Sequence, residues 1–441
     1  MSEAPRRELG LIHGVGIVVG AIIGVGIFIT PSKVAAIGGS PVSALLLWSL
    51  GGLIALCGAL SLAEVGARFP ESGGQIVALE KLLGRWAAFL YGWSLLIAIQ
   101  TGVLVLVMLF VANNLEALLA AEWSAGEKAA VATLLLVVLA GANLLGVRHG
   151  AWVQTLTSAA KLLTLAAIGL VAVLVAIGLF ARAPAPPPAP LPASAPWIAG
   201  LAAVLFSYGG FHQLTWVGGE VANPQRTVPR AIVLGILIVI TAYLAANASY
   251  FTLLPFHQVA ASDALAADAV GAVFPRWGPA AVAVALTVSA YGLANATLLT
   301  TPRVYFALAQ KGLFFRFLGR LDPARGVPSA AILLQTGLAL ALLWIVGPSI
   351  GELVNGIVFV DWTFHVLTCA GLILVRRRPG DFHHGYRAPL LPFVPMLFML
   401  GTVVALGATF LDPAVRRSSL MGLGVLAAGI LLYLLVRRAS R

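Results

Sequence analysis

Gly20-Ala21-Ile22-Ile23-Gly24-Val25-Gly26-Ile27-Phe28-Ile29-Thr30-Pro31 lies in the middle of an apolar run that extends over residues 11–37. At a helical rise of about 1.5 Å per residue, such a run can cross a hydrocarbon core of about 30 Å. Its centre, however, is poorly suited to a helix. Each interior glycine costs about 1 kcal/mol relative to alanine, and a proline removes a backbone donor. Two physical readings fit. Gly20 and Gly24 have the small-residue spacing by which membrane helices pack closely. Gly24 and Gly26, flanking one residue with Pro31 beyond, equally invite local unwinding.

A second stretch favours unwinding. Phe206-Ser207-Tyr208-Gly209-Gly210-Phe211 places adjacent glycines inside the apolar run 197–223. This second candidate break lies five apolar runs after the first, and five crossings reverse the direction of the chain. Paired interruptions in corresponding helices mark a binding site between inverted repeats. Unwound backbone at that depth is tolerated only where it lines a cavity or is buried in protein. The amides at a half-helix N-terminus attract a carboxylate, and the carbonyls at a C-terminus attract an ammonium. Together the two kinds of end suit a zwitterion.

The whole composition agrees with a membrane setting. Of 441 residues, 60% are hydrophobic and only 10% charged, against about 25% charged in soluble domains. Twelve runs are long enough to span, and none shows the alternation of a β-barrel. The net charge of +11 does not indicate a nucleic-acid partner, because the cations punctuate the apolar runs. With the N-terminus inside, Lys128, Arg182, Arg276, Arg416 and Arg417 fall outside, and Lys33 and Lys161 fall within spans. The remaining twenty of the 27 Lys and Arg lie inside. That asymmetry predicts both termini in the cytoplasm. The first run lacks a small-residue cleavage site and reads as a true span of a cell (inner) membrane protein. Cys57 and Cys369 both lie in apolar runs, which excludes a disulfide framework. The sequence shows no phosphate-binding loop and no metal-ligand cluster. No cofactor, metal or enzyme chemistry is therefore expected, and nothing identifies an accessory subunit. An ion gradient, not ATP, would have to drive uphill movement.

The motifs carry a family resemblance. Gly24-Val25-Gly26-Ile27-Phe28 with Pro31 resembles the first-helix signature of the amino acid–polyamine–organocation superfamily. Phe206–Gly210, with the downstream Glu220-Val-Ala-Asn223-Pro224-Gln-Arg226-Thr-Val-Pro229-Arg230-Ala231, resembles its sixth helix and following loop, most closely in the L-type amino acid transporters and their bacterial relatives. Phe69-Pro-Glu-Ser-Gly73-Gly74 and Gly92-Trp93 fit the loop after span two. The resemblance implies an all-α polytopic fold of twelve transmembrane helices. Five plus five form an inverted repeat with helices 1 and 6 broken, and two more follow. The expected divisions are a tail at 1–10, a first repeat at 11–181, a Pro/Ala-rich outer loop at 182–196, a second repeat at 197–376, two helices at 389–437 and a tail at 438–441. It also implies an amino acid substrate in a lipid bilayer. The substrate carboxylate would be held by amides of Val25, Gly26 and Ile27, beside Gly24. Its ammonium would be held by carbonyls near Ile23 and at Phe206, Ser207 and Gly209, beside Tyr208. Phe206 would gate the site, with Phe211 and Glu220 as further gating residues. Two departures stand out: Val25 replaces a serine found in many relatives, and Phe211 a tryptophan common in L-type members.

Among polar residues in the spans, Lys161 is the most informative. It lies about ten residues into span five, roughly 15 Å deep, and a charge at mid-bilayer costs at least about 2.5–3.5 kcal/mol. It is therefore expected to face the bundle. It can serve either as a structural donor to backbone carbonyls or, as the resemblance implies, as a substitute for the sodium ion of coupled relatives. Asp361 in span ten reads as a paired structural carboxylate or as a gating or proton-linked one. Glu220 and Glu64 read as partners for arginines at the inner ends of their spans. His212, just after the second break, reads as packed more readily than as a ligand. Ser72–Leu83 is amphipathic enough to lie along the inner surface.

Overall fold

A computed structural model describes residues 7–24, 26–182, 196–346, 353–377, 385–410 and 413–439. The described chain is helical, and its single strand-like contact is a parallel bridge between Leu9 and Val221. In order the helices are α1 (Leu11–Ile22), α2 (Gly26–Gly38), α3 (Pro41–Arg68), α4 (Gly74–Leu83), α5 (Arg85–Ser94), α6 (Gln100–Leu118), α7 (Ala125–Leu144), α8 (Val147–Ala176), α9 (Trp197–Tyr208) and α10 (Gln213–Trp216). They continue as α11 (Pro224–Leu253), α12 (Phe256–Ala261), α13 (Leu265–Gly271), α14 (Gly278–Gln310), α15 (Ser329–Val346), α16 (Leu353–Arg376), α17 (Phe393–Ala408) and α18 (Pro413–Ala439). A π-helical turn, Leu95–Ile99, joins α5 to α6 in one span.

Eight helices are long and apolar enough to cross a membrane unaided, and the pair α1–α2 makes a ninth span bent by 45°. The shorter apolar helices α15 and α17 and the interrupted segment α9–α10 lie where the remaining crossings are expected. The element order is similar in the two expected halves. Each half starts with an interrupted span and continues with a long helix, α3 or α11. Short helices follow in each half, α4 in the first and α12–α13 in the second. The Pro/Ala-rich stretch expected as a tether falls at 183–195, outside the described residues.

Local chemistry sets the boundaries. The Ser40 hydroxyl accepts from the Ser43 amide at 3.2 Å, and Pro41 follows at the first helical position, so α3 starts there. Ser124 and Glu127 form a reciprocal capping box on α7. Along α3, Val42, Leu46, Leu50 and Leu53 are exposed and form a lipid-facing stripe at helical spacing. The opposite face carries Gly51, Gly58 and Gly66, where a Cβ would collide with Val204, Phe398 and Val228 respectively. Backbone proximity at small residues, not a hydrophobic drive, holds such helices together in lipid.

Pro31 sits inside α2, and the interruption lies upstream at the glycines. One expectation changes. The Ser72–Leu83 segment does not lie on a surface. Its helix α4 buries Gln75, Ile76, Val77, Ala78 and Leu79 inside the bundle, because α5, α16 and α10 pack around it.

Candidate functional site

Both interruptions are where the glycines placed them. In the first, the Ile23 amide still donates to Val19 O, but the Gly24 amide turns back to Ile22 O at 2.9 Å. The Gly20 carbonyl thereby loses its i+4 donor, and the Lys161 ammonium donates to it at 2.8 Å from α8. A buried carbonyl without a partner would cost about 1–3 kcal/mol, so the lysine and the break support each other. Gly20 itself belongs to the packing reading, since a Cβ there would collide with Gln154 of α8. Gly24 and Gly26 belong to the unwinding reading. Each alternative held for part of the motif.

In the second interruption, α9 ends at Tyr208, Gly209 is extended, and Gly210 has φ +115. A Cβ on Gly210 would sit 2.6 Å from the Ala21 carbonyl oxygen. The two broken spans therefore touch backbone to backbone, and only glycine allows both that φ and that approach. The Tyr243 hydroxyl of α11 lies 3.1 Å from both Ile22 O and Ser207 O, bridging the two loose ends. Tyr243→Phe should cost about 1 kcal/mol, lowering the initial transport rate roughly fivefold. Rates in reconstituted vesicles check this.

A cavity of 130 Å³ opens between the breaks, too small for a drug-sized ligand. Of the residues expected at the site, Gly24, Gly26, Phe206, Ser207 and Gly209 line it. Phe206 remains 39% exposed, as a residue over an opening would be. Val25 lies outside the described residues. Ile23 and Ile27 are fully buried in the adjoining core. Tyr208 turns away, its ring edge-on to Trp48 and tilted against Tyr243. Phe211, expected to gate, is fully buried outside the cavity lining, against Phe398, Trp362 and His365. The amides opening α2 have no intrahelical acceptor and suit an anion. Ser207 O and Phe206 O accept from Tyr243 and the Gly209 amide, respectively. Each carbonyl retains a second lone pair for an ammonium.

Glu220 stands away from the cavity. Its carboxylate accepts from Arg303 Nε at 3.0 Å and Nη2 at 3.3 Å, with both side chains buried. Its carbonyl accepts from the Glu8 and Leu9 amides, and the Ala222 amide donates to Leu9 O. Glu8 and Leu9 are thereby tied to the segment that carries this ion pair. Glu64 is likewise paired, with Arg68 at 2.7 Å and Arg376 at 3.4 Å, and it accepts from the Ala388 amide.

The cavity also recruits residues that the motifs did not mark. Gln100, just after the π turn, His212, Gln213, Asp361 and Trp362 line it. Gln100 Oε1 and both His212 nitrogens have no hydrogen-bond partner within the described protein. The π turn beside Gln100 agrees with this placement, since such turns are frequent at functional sites. Asp361 accepts from Tyr91 at 2.8 Å and lies 3.5 Å from His365 Nε2.

Comparison with known proteins agrees in scope with this geometry. A profile of the amino acid permease family matches residues 9–433. The serine/threonine exchanger SteT of Bacillus subtilis is 30% identical over 435 residues, covering 97% of this chain and 96% of SteT. The b(0,+)-type amino acid transporter 1 of Mus musculus is 31% identical, covering 90% of this chain and 81% of its own length. The large neutral amino acids transporter small subunit 2 of Mus musculus is also 31% identical, covering 98% and 81%.

Proposed function

The chain belongs to the amino acid permease family, and from that premise we propose that it carries neutral amino acids across the cell membrane by alternating access, as an exchanger or a proton-linked symporter. It is a multi-pass membrane protein and a transporter, not an enzyme. One observation supports the mechanism above others: two interrupted spans meet at Gly210 and Ala21 and turn half-helix ends of opposite polarity toward one cavity. The amides at Gly26 and Ile27, with that of Val25, take the carboxylate. Carbonyls at Ile23, Phe206, Ser207 and Gly209 take the ammonium. Gly24 and Ser207 shape the wall, and Phe206 covers the bound molecule. Lys161 holds the α1 end in place without a metal cation. Glu220 and Arg303 latch the end that carries the N-terminal tail, which we place in the cytoplasm together with the C-terminus. Movement of α1–α2 and α9–α10 against the rest must break that latch before release on that side.

Asp361 at the cavity wall gives a second reading, a cationic amino acid or polyamine substrate. Its carboxylate already accepts from Tyr91 and faces His365, which leaves it a weaker partner for a substrate cation. Counterflow in proteoliposomes separates the readings. Internal alanine, serine or leucine should stimulate uptake of a labelled neutral amino acid. Stimulation by putrescine or agmatine instead would establish the second reading, and no stimulation by any of them would remove both.

A further inference from the structure

Asp361 and His365 are four residues apart on α16, so they share one helix face, and His212 reaches them from the segment between α9 and α10. One ligand atom of each lies within 4.8 Å of the others. The rings of His212 and His365 are 4.1 Å apart by centroid. His212 is buried, and neither of its nitrogens finds a partner within the described protein. His365 Nε2 is likewise unpartnered apart from the Asp361 carboxylate at 3.5 Å. An unpaired imidazole at this depth is costly, and a ligand that used its lone pair would remove the cost.

We propose that His212, Asp361 and His365 form a binding site for a divalent transition-metal ion such as zinc, and that the ion acts as a brake on transport. Two imidazoles and one carboxylate are a donor set that such ions favour. The surroundings orient the donors. Tyr91 donates to Asp361 Oδ1 and leaves Oδ2 toward His365. Gln75 lies 3.0 Å from His365 Nδ1. With its amide oxygen turned to that nitrogen and to Thr368 Oγ1 at 3.1 Å, Gln75 accepts both Nδ1–H and the Thr368 hydroxyl proton, and the Nε2 lone pair is freed for the metal. Its NH2 group then faces the Tyr91 oxygen, 3.5 Å from the other amide atom. Such outer hydrogen bonds fix the tautomer of metal-binding histidines. Ligand atoms on a tetrahedral zinc stand about 3.3 Å apart, given metal–ligand distances of about 2.0–2.1 Å. The three donors must therefore close by up to about 1.5 Å from their widest separation, a side-chain rotation for His212. His212 and Asp361 also line the cavity, so the ion enters through it and keeps one coordination position toward it. A bound ion would join α16 to the segment between α9 and α10, which alternating access requires to move apart.

The test uses purified, untagged protein and does not depend on transport. Cobalt(II), added as a spectroscopic stand-in, should bind at one equivalent per chain with the intense visible absorption of a four-coordinate ion, and zinc should displace it. Equilibrium dialysis should show zinc bound at least tenfold more weakly to His365→Ala and to Asp361→Asn. In proteoliposomes zinc should slow amino acid counterflow of the wild type and leave Asp361→Asn unaffected. A wild-type cobalt spectrum typical of six-coordinate, weakly held ions would overturn the site even if the variants fail to fold. Unchanged zinc affinity in folded variants would overturn it by assigning the metal to surface histidines. Tight zinc binding without slowed counterflow would overturn the brake.

Discussion

Replacing Gly26 with leucine is expected to abolish amino acid counterflow, with a loss of at least about 100-fold in initial rate, while insertion into the membrane is preserved. Gly26 opens α2 and lines the cavity. A Cβ there would already stand 3.1 Å from Ser207 Oγ, so the rest of a leucine must project into the space meant for the carboxylate. Hydrogen bonds to a charged group contribute about 1.5–3 kcal/mol each. Losing two amide–carboxylate bonds therefore gives about 3 kcal/mol or more, a factor of at least 100. Gly26→Ala needs only a few tenths of an ångström of yielding by Ser207, and it should retain measurable transport with a raised KM. Membrane yield and a monodisperse elution profile verify insertion. Counterflow by Gly26→Leu at the wild-type rate would place the carboxylate elsewhere and remove the proposed site.

The breaks could be read from sequence because glycine pairs at mid-bilayer have few physical uses. Gly24–Gly26 and Gly209–Gly210 stand out inside long apolar runs. The walls of the cavity could not be read in the same way. Lipid-facing and core-facing sides of a membrane helix are both apolar, so periodicity does not reveal which face of α6 or α16 turns inward. Gln100, His212 and Asp361 come from three separate spans, and only the fold brings them together. Phe211 shows the reverse error. It follows the glycines directly and reads as part of the gate. The left-handed turn at Gly210 instead sends it down against Phe398, where Gly58 leaves room for its ring. The buried α4 misled for a related reason. In a bundle of this kind such a helix can be buried with a polar residue among its apolar ones, and Gln75 reaches His365 and Thr368.

Lys161 was legible because its cost is large. A mid-bilayer ammonium must repay at least about 2.5–3.5 kcal/mol, and the fold repays it by pairing Lys161 with the Gly20 carbonyl, which the first break deprives of its donor. Lys161→Met removes that donor but retains much of the side-chain length. The freed Gly20 carbonyl then costs about 1–3 kcal/mol, while the loss of a buried charge returns a similar amount. Thermal stability should consequently change little. Transport should fall at least about tenfold, because α1 no longer has a fixed end from which the Ile22 and Ile23 carbonyls can be presented. The opposite split, with stability lost and the residual rate intact, would make Lys161 a structural residue only. Initial rates of wild type and Lys161→Met across about pH 5–8 then address coupling. If the ammonium exchanges its proton during the cycle, the wild-type rate varies with pH and the methionine variant is flat. Parallel profiles for the two proteins would assign any proton linkage to another group. Because Lys161 touches the substrate only through α1, the defect should appear in the rate of exchange more than in the binding of the amino acid, which a thermal-shift titration measures separately.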